Sequence, residues 1–166
     1  MDCCCGGAKM TGEAPQNVCR ECGKAGRVVT RRTVVHHVKS EKLSLVGNDE
    51  YKFCPSAECL VVYYSAAGRA FTVEDVRELV TAKASGDARP LCYCFGFTEG
   101  YVRREIAQKG ESSVPKQVSQ FIKEKLCACE LRNPAGACCL GEINRAVKSL
   151  MPGASAADIE KRQMIF

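Results

Sequence analysis

The chain of 166 residues has no tryptophan and two histidines. It also lacks any long hydrophobic run. The most apolar stretch, Leu60-Val61-Val62-Tyr63-Tyr64, falls far short of the roughly 20 residues a transmembrane helix needs, so neither a membrane span nor a membrane partner is expected. No GxxxxGK, GxGxxG or HExxH occurs, which removes the common nucleotide-binding and zinc-protease chemistries, and no period of 20 to 50 residues recurs. So little histidine leaves no acid/base pair and no activated nucleophile, so a conventional enzyme on an organic substrate is not expected; one-electron reduction of a metal stays open. Long basic runs are missing too. The 24 Lys and Arg residues are interspersed with 19 acidic ones, and the net charge of +5 reads as an ordinary solvated surface. Arg31, Arg32 and Lys39 have no exposed aromatic platform beside them, so nucleic acid is not an expected partner. The opening Met1-Asp2-Cys3-Cys4-Cys5-Gly6-Gly7 contains no apolar segment of the secretory kind, which predicts a cytoplasmic chain.

What is abundant is cysteine. Thirteen of 166 residues, about 8%, approaches the level at which composition alone points to a disulfide- or metal-stapled scaffold. In a reducing cytosol disulfides do not persist, and an odd total cannot pair completely, so spaced cysteines read as metal ligands or redox groups.

The pattern along the chain is α+β, with short strands first and helices after. Residues 1–16 are small, polar and Gly/Pro-punctuated and read as a Cys-rich tail. In residues 17–86 the run Arg27–Val38 (RVVTRRTVVHHV) is rich in β-branched residues. Tyr51–Phe53 and Leu60–Tyr64 are similar, and all three read as strands around cysteine turns. For Thr72–Lys83 two readings stand: Thr72 with Asp75 resembles a helix cap, and Val73, Val76, Leu79 and Val80 make a helical stripe, yet Val and Thr also suit a strand. Ala84–Pro90 is the best linker and places a boundary near residue 86. Residues 87–151 read as helical: one helix from an N-cap at Thr98 to a stop at Gly110, one from Ser113 with Pro115 in its first turn, and one from Leu140 to Leu150. Residues 152–166 read as a C-terminal tail.

Cys19-x-x-Cys22 and Cys54-x4-Cys59 are separated by 31 residues and adjoin the turn-formers Gly23, Pro55 and Ser56. Two such knuckles converge four thiolates on Zn(II), whose filled d shell imposes neither geometry nor redox chemistry; a closed site of this kind staples a small sheet. His36 and His37 fall on adjacent positions of the expected strand and so face opposite ways, which prevents both from serving one site. One of them could still support the zinc site or replace a thiolate.

The second set, Cys92-x-Cys94, Cys127-x-Cys129 and Cys138-Cys139, lies within 48 residues, and six thiols are too many for one zinc. Alternate positions of a turn can offer two thiolates to one iron while a later loop serves the other, as a Cys4-ligated 2Fe-2S cluster requires. The helix expected after Cys139 favours thiolate at its N-terminus. Spacing alone leaves a second zinc equally open.

CYCFGFT (Cys92–Thr98) and CACELRNPAGACCLG (Cys127–Gly141), with CPSAECLVVYY (Cys54–Tyr64) upstream, resemble the N-terminal domain of CopZ-type copper chaperones over about residues 18–143. The resemblance implies a zinc-ribbon-like β subdomain followed by a helical 2Fe-2S subdomain similar to bacterioferritin-associated ferredoxin. It implies Cys92, Cys94, Cys129 and one of Cys138 and Cys139, with Cys139 preferred, as cluster ligands, and leaves Cys127 as a spare thiol or an alternative ligand. Gly136, after Asn133-Pro134, is expected to let that loop turn tightly. Copper handling follows, with Cu(II) reduced to Cu(I) and a copper chaperone or copper-exporting ATPase as partner. Two departures stand against the family pattern: no MxCxxC module follows Cys139, and Cys3-Cys4-Cys5 adds a soft-metal cluster at the other end. The competing expectation is a sensor or interaction module with two zinc or Cu(I) sites and no electron transfer.

Overall fold

The computed structural model describes residues 18–151; the tails read above, with Cys3, Cys4 and Cys5, lie outside them. Four short strands, β1 (Arg27–Val29), β2 (Tyr51–Phe53), β3 (Val61–Ser65) and β4 (Ala70–Thr72), form an antiparallel sheet in that order. The register pairs Arg27 with Phe53, Phe53 with Tyr63 and Tyr63 with Phe71. All five residues of β3 are buried, because it is covered on both faces. Val62 and Tyr63 join a core with Val34, Val38, Tyr51, Phe53 and Phe71, while Val61 and Tyr64 pack against Cys19, Cys54 and Cys59.

The expected strand over Arg27–Val38 is corrected: β1 ends at Val29, and Arg31–His37 is a helix, α1. Thr30 caps it, its hydroxyl accepting from the Thr33 backbone N–H at 3.2 Å. Thr33, Val34 and His37 then share the inward face, so the cap and core burial outweigh the β-branched preference for strand. His36 and His37 are therefore helix neighbours, with rings in edge contact at 4.9 Å, and not opposite-facing strand residues.

Over Thr72–Lys83 neither a helix nor a long strand forms. β4 stops at Thr72, whose backbone N–H and hydroxyl both donate to the Asp75 carboxylate at 2.9 Å. The capping contact exists, but it closes a turn that bridges Val76 to Val38, and Leu79 of the supposed stripe is exposed.

A two-stranded ribbon, β5 (Pro90–Cys92) and β6 (Phe97–Thr98), leads into α2 (Glu99–Lys109), α3 (Val114–Lys123), the short α4 (Cys129–Arg132) and α5 (Leu140–Leu150). Thr98 caps α2 through Tyr101 N–H, and Gly110 ends it in the left-handed region, as read from the sequence. Ser113 stands at the N-cap position of α3, but its hydroxyl is directed elsewhere: it donates to the buried Glu105 at 2.7 Å. Ser113 N–H, Ser112 Oγ and Lys109 Nζ complete that carboxylate's shell, and these hydrogen bonds, led by the Ser113 hydroxyl, hold its pKa down at about 2. Leu91, Val102, Ile106, Val114, Val118 and Ile143 form the second core.

The Ala84–Pro90 stretch is tied down rather than free. Arg89 donates to Thr81 O at 2.9 Å and forms ion pairs with Glu99 and Glu142, so it joins the end of the sheet region to α2 and α5. The loop that carries Cys129 is likewise fixed to the sheet half. Thr33 Oγ1 donates to Glu130 O (2.7 Å), His37 Nε2 to Leu131 O (3.1 Å) and Tyr63 Oη to Pro134 O (3.0 Å).

Candidate metal centres

The first knuckle is a turn in which Gly23 N–H donates to Cys19 O at 2.8 Å and Cys19 N–H to Lys24 O at 2.9 Å. The second leaves β2 at Cys54, whose N–H donates to Val62 O at 2.9 Å, and closes with Cys59 N–H donating to Ser56 O at 3.4 Å. Together they place the Sγ atoms of Cys19 and Cys59 3.9 Å apart and those of Cys22 and Cys54 3.5 Å apart. All four sulfurs lie within 4.8 Å of one another, and among the described residues this is the one such group of potential metal ligands. A tetrahedron with Zn–S of about 2.3 Å has sulfur–sulfur edges of roughly 3.8 Å, so the donor set fits zinc in size and in softness.

Cys19, Cys54 and Cys59 are buried, and Cys22 is half-buried. Burial pushes the Cys54 and Cys59 thiols up. At Cys22 burial acts the same way, but the Lys24 backbone and the neighbouring thiols outweigh it and bring that thiol down. A cation neutralising four converged thiolates removes this mutual repulsion, which is why metal and fold are coupled in such sites. Gly26 sits behind the knuckle with no room for a side chain: a Cβ there would meet Tyr64 Oη at 2.5 Å and Phe53 O at 2.6 Å. Lys83, half-buried, donates from Nζ to Ser56 O and Cys59 O, both at 2.8 Å. It is the cation beside all four thiols.

His37 takes no part in this set. Its Nε2–H is committed to Leu131 O, and burial, aided by the charge of His36, lowers its pKa to about 4.

In the second set Cys92 ends β5, Cys94 follows in the turn, Cys129 opens α4, and Cys139 is the N-cap residue of α5. The Sγ atoms of Cys94 and Cys129 are 3.8 Å apart, and Cys92 and Cys139 are buried in the same core. The contact between Cys94 and Cys129 runs from the CxC turn to the later loop. Ala128 N–H donates to Cys94 Sγ at 3.4 Å, an amide aimed at a donor sulfur.

The neighbouring Cys139 thiol draws the Cys92 thiol down to about 7, and Cys92, with burial, pushes Cys139 up. Burial raises Cys129 to about 12. Cys139 is buried and Cys138 exposed, and Cys127 is half-buried beside the pair formed by Cys94 and Cys129. Gly136 adopts φ 60°, with Val29 Cγ1 only 3.2 Å from where a Cβ would stand, so the loop after Asn133-Pro134 closes against β1.

Residues 16–77 match the CopZ zinc-finger family model, described as a zinc binding domain, and that interval contains Cys19, Cys22, Cys54 and Cys59. The chain is similar to CopZ. It is 32% identical over 127 residues to the copper chaperone CopZ of Archaeoglobus fulgidus, an alignment that takes in 76% of this chain and 60% of CopZ. The chain thus spans 60% of the length of the curated relative it matches. The X-ray structure of the Archaeoglobus fulgidus CopZ N-terminal domain superimposes with a TM-score of 0.65 at 29% identity, covering 77% of this chain and 95% of that domain. The mixed helix-and-sheet fold is that of the CopZ N-terminal domain, extending past the family-matched interval into the helical half.

Sequence reasoning missed α4 and the carbonyl contacts that seat Cys129 on the sheet half. It also missed Lys83 and Tyr93, whose Oη donates to Leu79 O at 2.9 Å from between Cys92 and Cys94. A lone lysine and a lone tyrosine carry no spacing signal. The Tyr in CYC was visible as a residue, but its partner was not.

Proposed function

We propose that Cys19, Cys22, Cys54 and Cys59 hold a structural zinc and that Cys92, Cys94, Cys129 and Cys139 hold a 2Fe-2S cluster, in a one-electron carrier that serves copper handling. The division into a zinc-binding part, residues 17–86, and a cluster-binding part, residues 87–151, belongs to this reading. The observation that carries it is the approach of Cys94 Sγ to Cys129 Sγ across two chain segments at 3.8 Å, with Cys92 and Cys139 buried in the same core, beside an interval that matches a zinc binding domain. Such a cluster supplies a one-electron couple.

The chain's own residues support that use. The Ala128 amide points at Cys94 Sγ, and amides at donor sulfurs stabilise the extra negative charge of a reduced site. Phe95, next to Cys94, packs at a tilt against Phe121 with ring centroids 4.5 Å apart. Cys139 is the better ligand of the adjacent pair because its sulfur is buried against Cys92, whereas Cys138 faces solvent.

By its likeness to CopZ, the acceptor is Cu(II), which leaves as Cu(I), the state that thiolates bind. The partners are then a separate copper-binding chaperone or a copper-exporting ATPase, met in the cytoplasm. The test is anaerobic: dithionite-reduced, desalted protein is mixed with Cu(II), and Cu(I) is counted with a chromophoric chelator. The reading requires about one Cu(I) per chain beyond the yield of the Cys92→Ser/Cys94→Ser variant, which controls for reduction by free thiols. Equal yields would end it. A protein purified without air that holds zinc and no iron would favour the sensor or interaction module.

A further inference from the structure

Leu79–Lys83 runs between the two centres and is tied to both. At one end Lys83 Nζ donates to Ser56 O and Cys59 O, the carbonyls of the turn that carries Cys54 and Cys59. At the other, Thr81 N–H donates to Tyr93 Oη at 2.9 Å, Thr81 Oγ1 donates to Pro90 O at 2.7 Å, and Tyr93 Oη donates to Leu79 O. Tyr93 is the middle residue of Cys92-Tyr93-Cys94, and Pro90 begins the strand that Cys92 ends. One residue, Ala82, therefore separates a contact with the first centre from a contact with the second.

We propose that this segment is a strap coupling the two cysteine centres: metal in the first fixes Lys83, and Lys83, through Thr81 and Tyr93, sets the turn that presents Cys92 and Cys94. The proposal rests on the first four cysteines being a metal site, and it does not depend on what the second set binds.

Coupling requires that filling one site change an interaction with the strap, and charge supplies the change. Four protonated thiols are neutral, whereas four thiolates around Zn(II) leave a net charge of −2. The Lys83 ammonium is the cation beside those four sulfurs, so loading the site strengthens its hold on the second knuckle. Without that charge the ammonium is held by its two carbonyl hydrogen bonds alone, and the residues before it are anchored more weakly. Arg89, just before β5, donates to Thr81 O and so ends on the same strap.

The experiment uses the full chain, reduced and iron-free, with and without one equivalent of Zn(II), and follows alkylation of each cysteine by peptide mass spectrometry. Zinc should protect Cys19, Cys22, Cys54 and Cys59 directly and should also slow alkylation of Cys92 and Cys94 by about tenfold, within the usual range of site-to-site coupling. In Tyr93→Phe the zinc effect at Cys92 and Cys94 should shrink to about twofold or less, while protection of the first four stays as in the wild type. In Lys83→Met the same loss should appear together with roughly 10- to 100-fold weaker zinc binding, and Lys83→Arg should restore most of both. A zinc effect at Cys92 and Cys94 that is absent in the wild type, or undiminished in Tyr93→Phe and Lys83→Met, would overturn the strap. So would an effect that survives in Cys54→Ser, since zinc would then be binding the second set directly. Failure of zinc to protect the first four cysteines would overturn the site reading and the strap together.

Discussion

The buried His37 should make this fold lose stability in mild acid. Its ring is 1% exposed, packs 6.5 Å from Tyr63 and 6.3 Å from Tyr93 between centroids, and donates from Nε2 to Leu131 O. Burial, then the charge of His36, lowers its pKa from 6.5 to about 4 in the folded chain. The unfolded chain takes up a proton near pH 6.5 and the folded chain refuses it until about pH 4. The contribution is therefore complete above pH 6.5, declines as the pH falls through the window, and is spent below about 4. At about 1.4 kcal/mol per pH unit the whole effect is about 3 kcal/mol, a large share of a small domain's stability. Glu105 acts lower, its contribution being present above the ordinary carboxylate pKa of 4.5 and lost as the pH falls through about 2. The assay is urea unfolding of the wild type and of His37→Gln at half-unit steps from pH 7 to pH 4. Gln keeps an N–H for Leu131 O but cannot titrate, so loss of metal in acid affects both proteins alike and the difference isolates the ring. The wild type should lose about 3 kcal/mol more than the variant across the window. Parallel profiles would refute the reasoning.

Two further substitutions test the centres themselves. Gly26→Ala drives a methyl group into Tyr64 Oη and Phe53 O and should cost about 1–3 kcal/mol in thermal or urea unfolding, with faster zinc loss to a chelator, because the first knuckle must shift. Cys138→Ser should leave the visible spectrum of anaerobically purified protein unchanged, whereas Cys139→Ser should abolish or strongly alter it. The opposite result would exchange their assignments.

The parts of the fold that were legible in the sequence are those whose signals are local. Thr98 and Gly110 bracket α2 because a cap and a stop act within one turn, and Leu140–Leu150 emerged from its apolar spacing. The spacing of Cys19, Cys22, Cys54 and Cys59 was readable because each knuckle is a turn with its own glycine or proline. Arg31–His37 misled because its β-branched residues favour strand, and what makes it a helix is Thr30 together with a core built by Tyr51, Phe53 and Tyr63. Over Thr72–Lys83 neither open reading formed: Thr72 and Asp75 do bond, but the chain is held by Val38, Ser56 and Cys59, which lie far from that pair in sequence. How the chain positions the cysteines of the second set was not legible. Cys129 is seated by Thr33, His37 and Tyr63 through backbone carbonyls, and a carbonyl leaves no mark on residue identity.

The central claim is that one chain carries a zinc staple and a separate two-iron centre. The most direct measurement is iron, acid-labile sulfide and zinc per chain on protein purified without air, taken with its visible spectrum. The account predicts two irons, two sulfides and one zinc in a red-brown protein. Two zincs, no iron and no colour in the same preparation would contradict it.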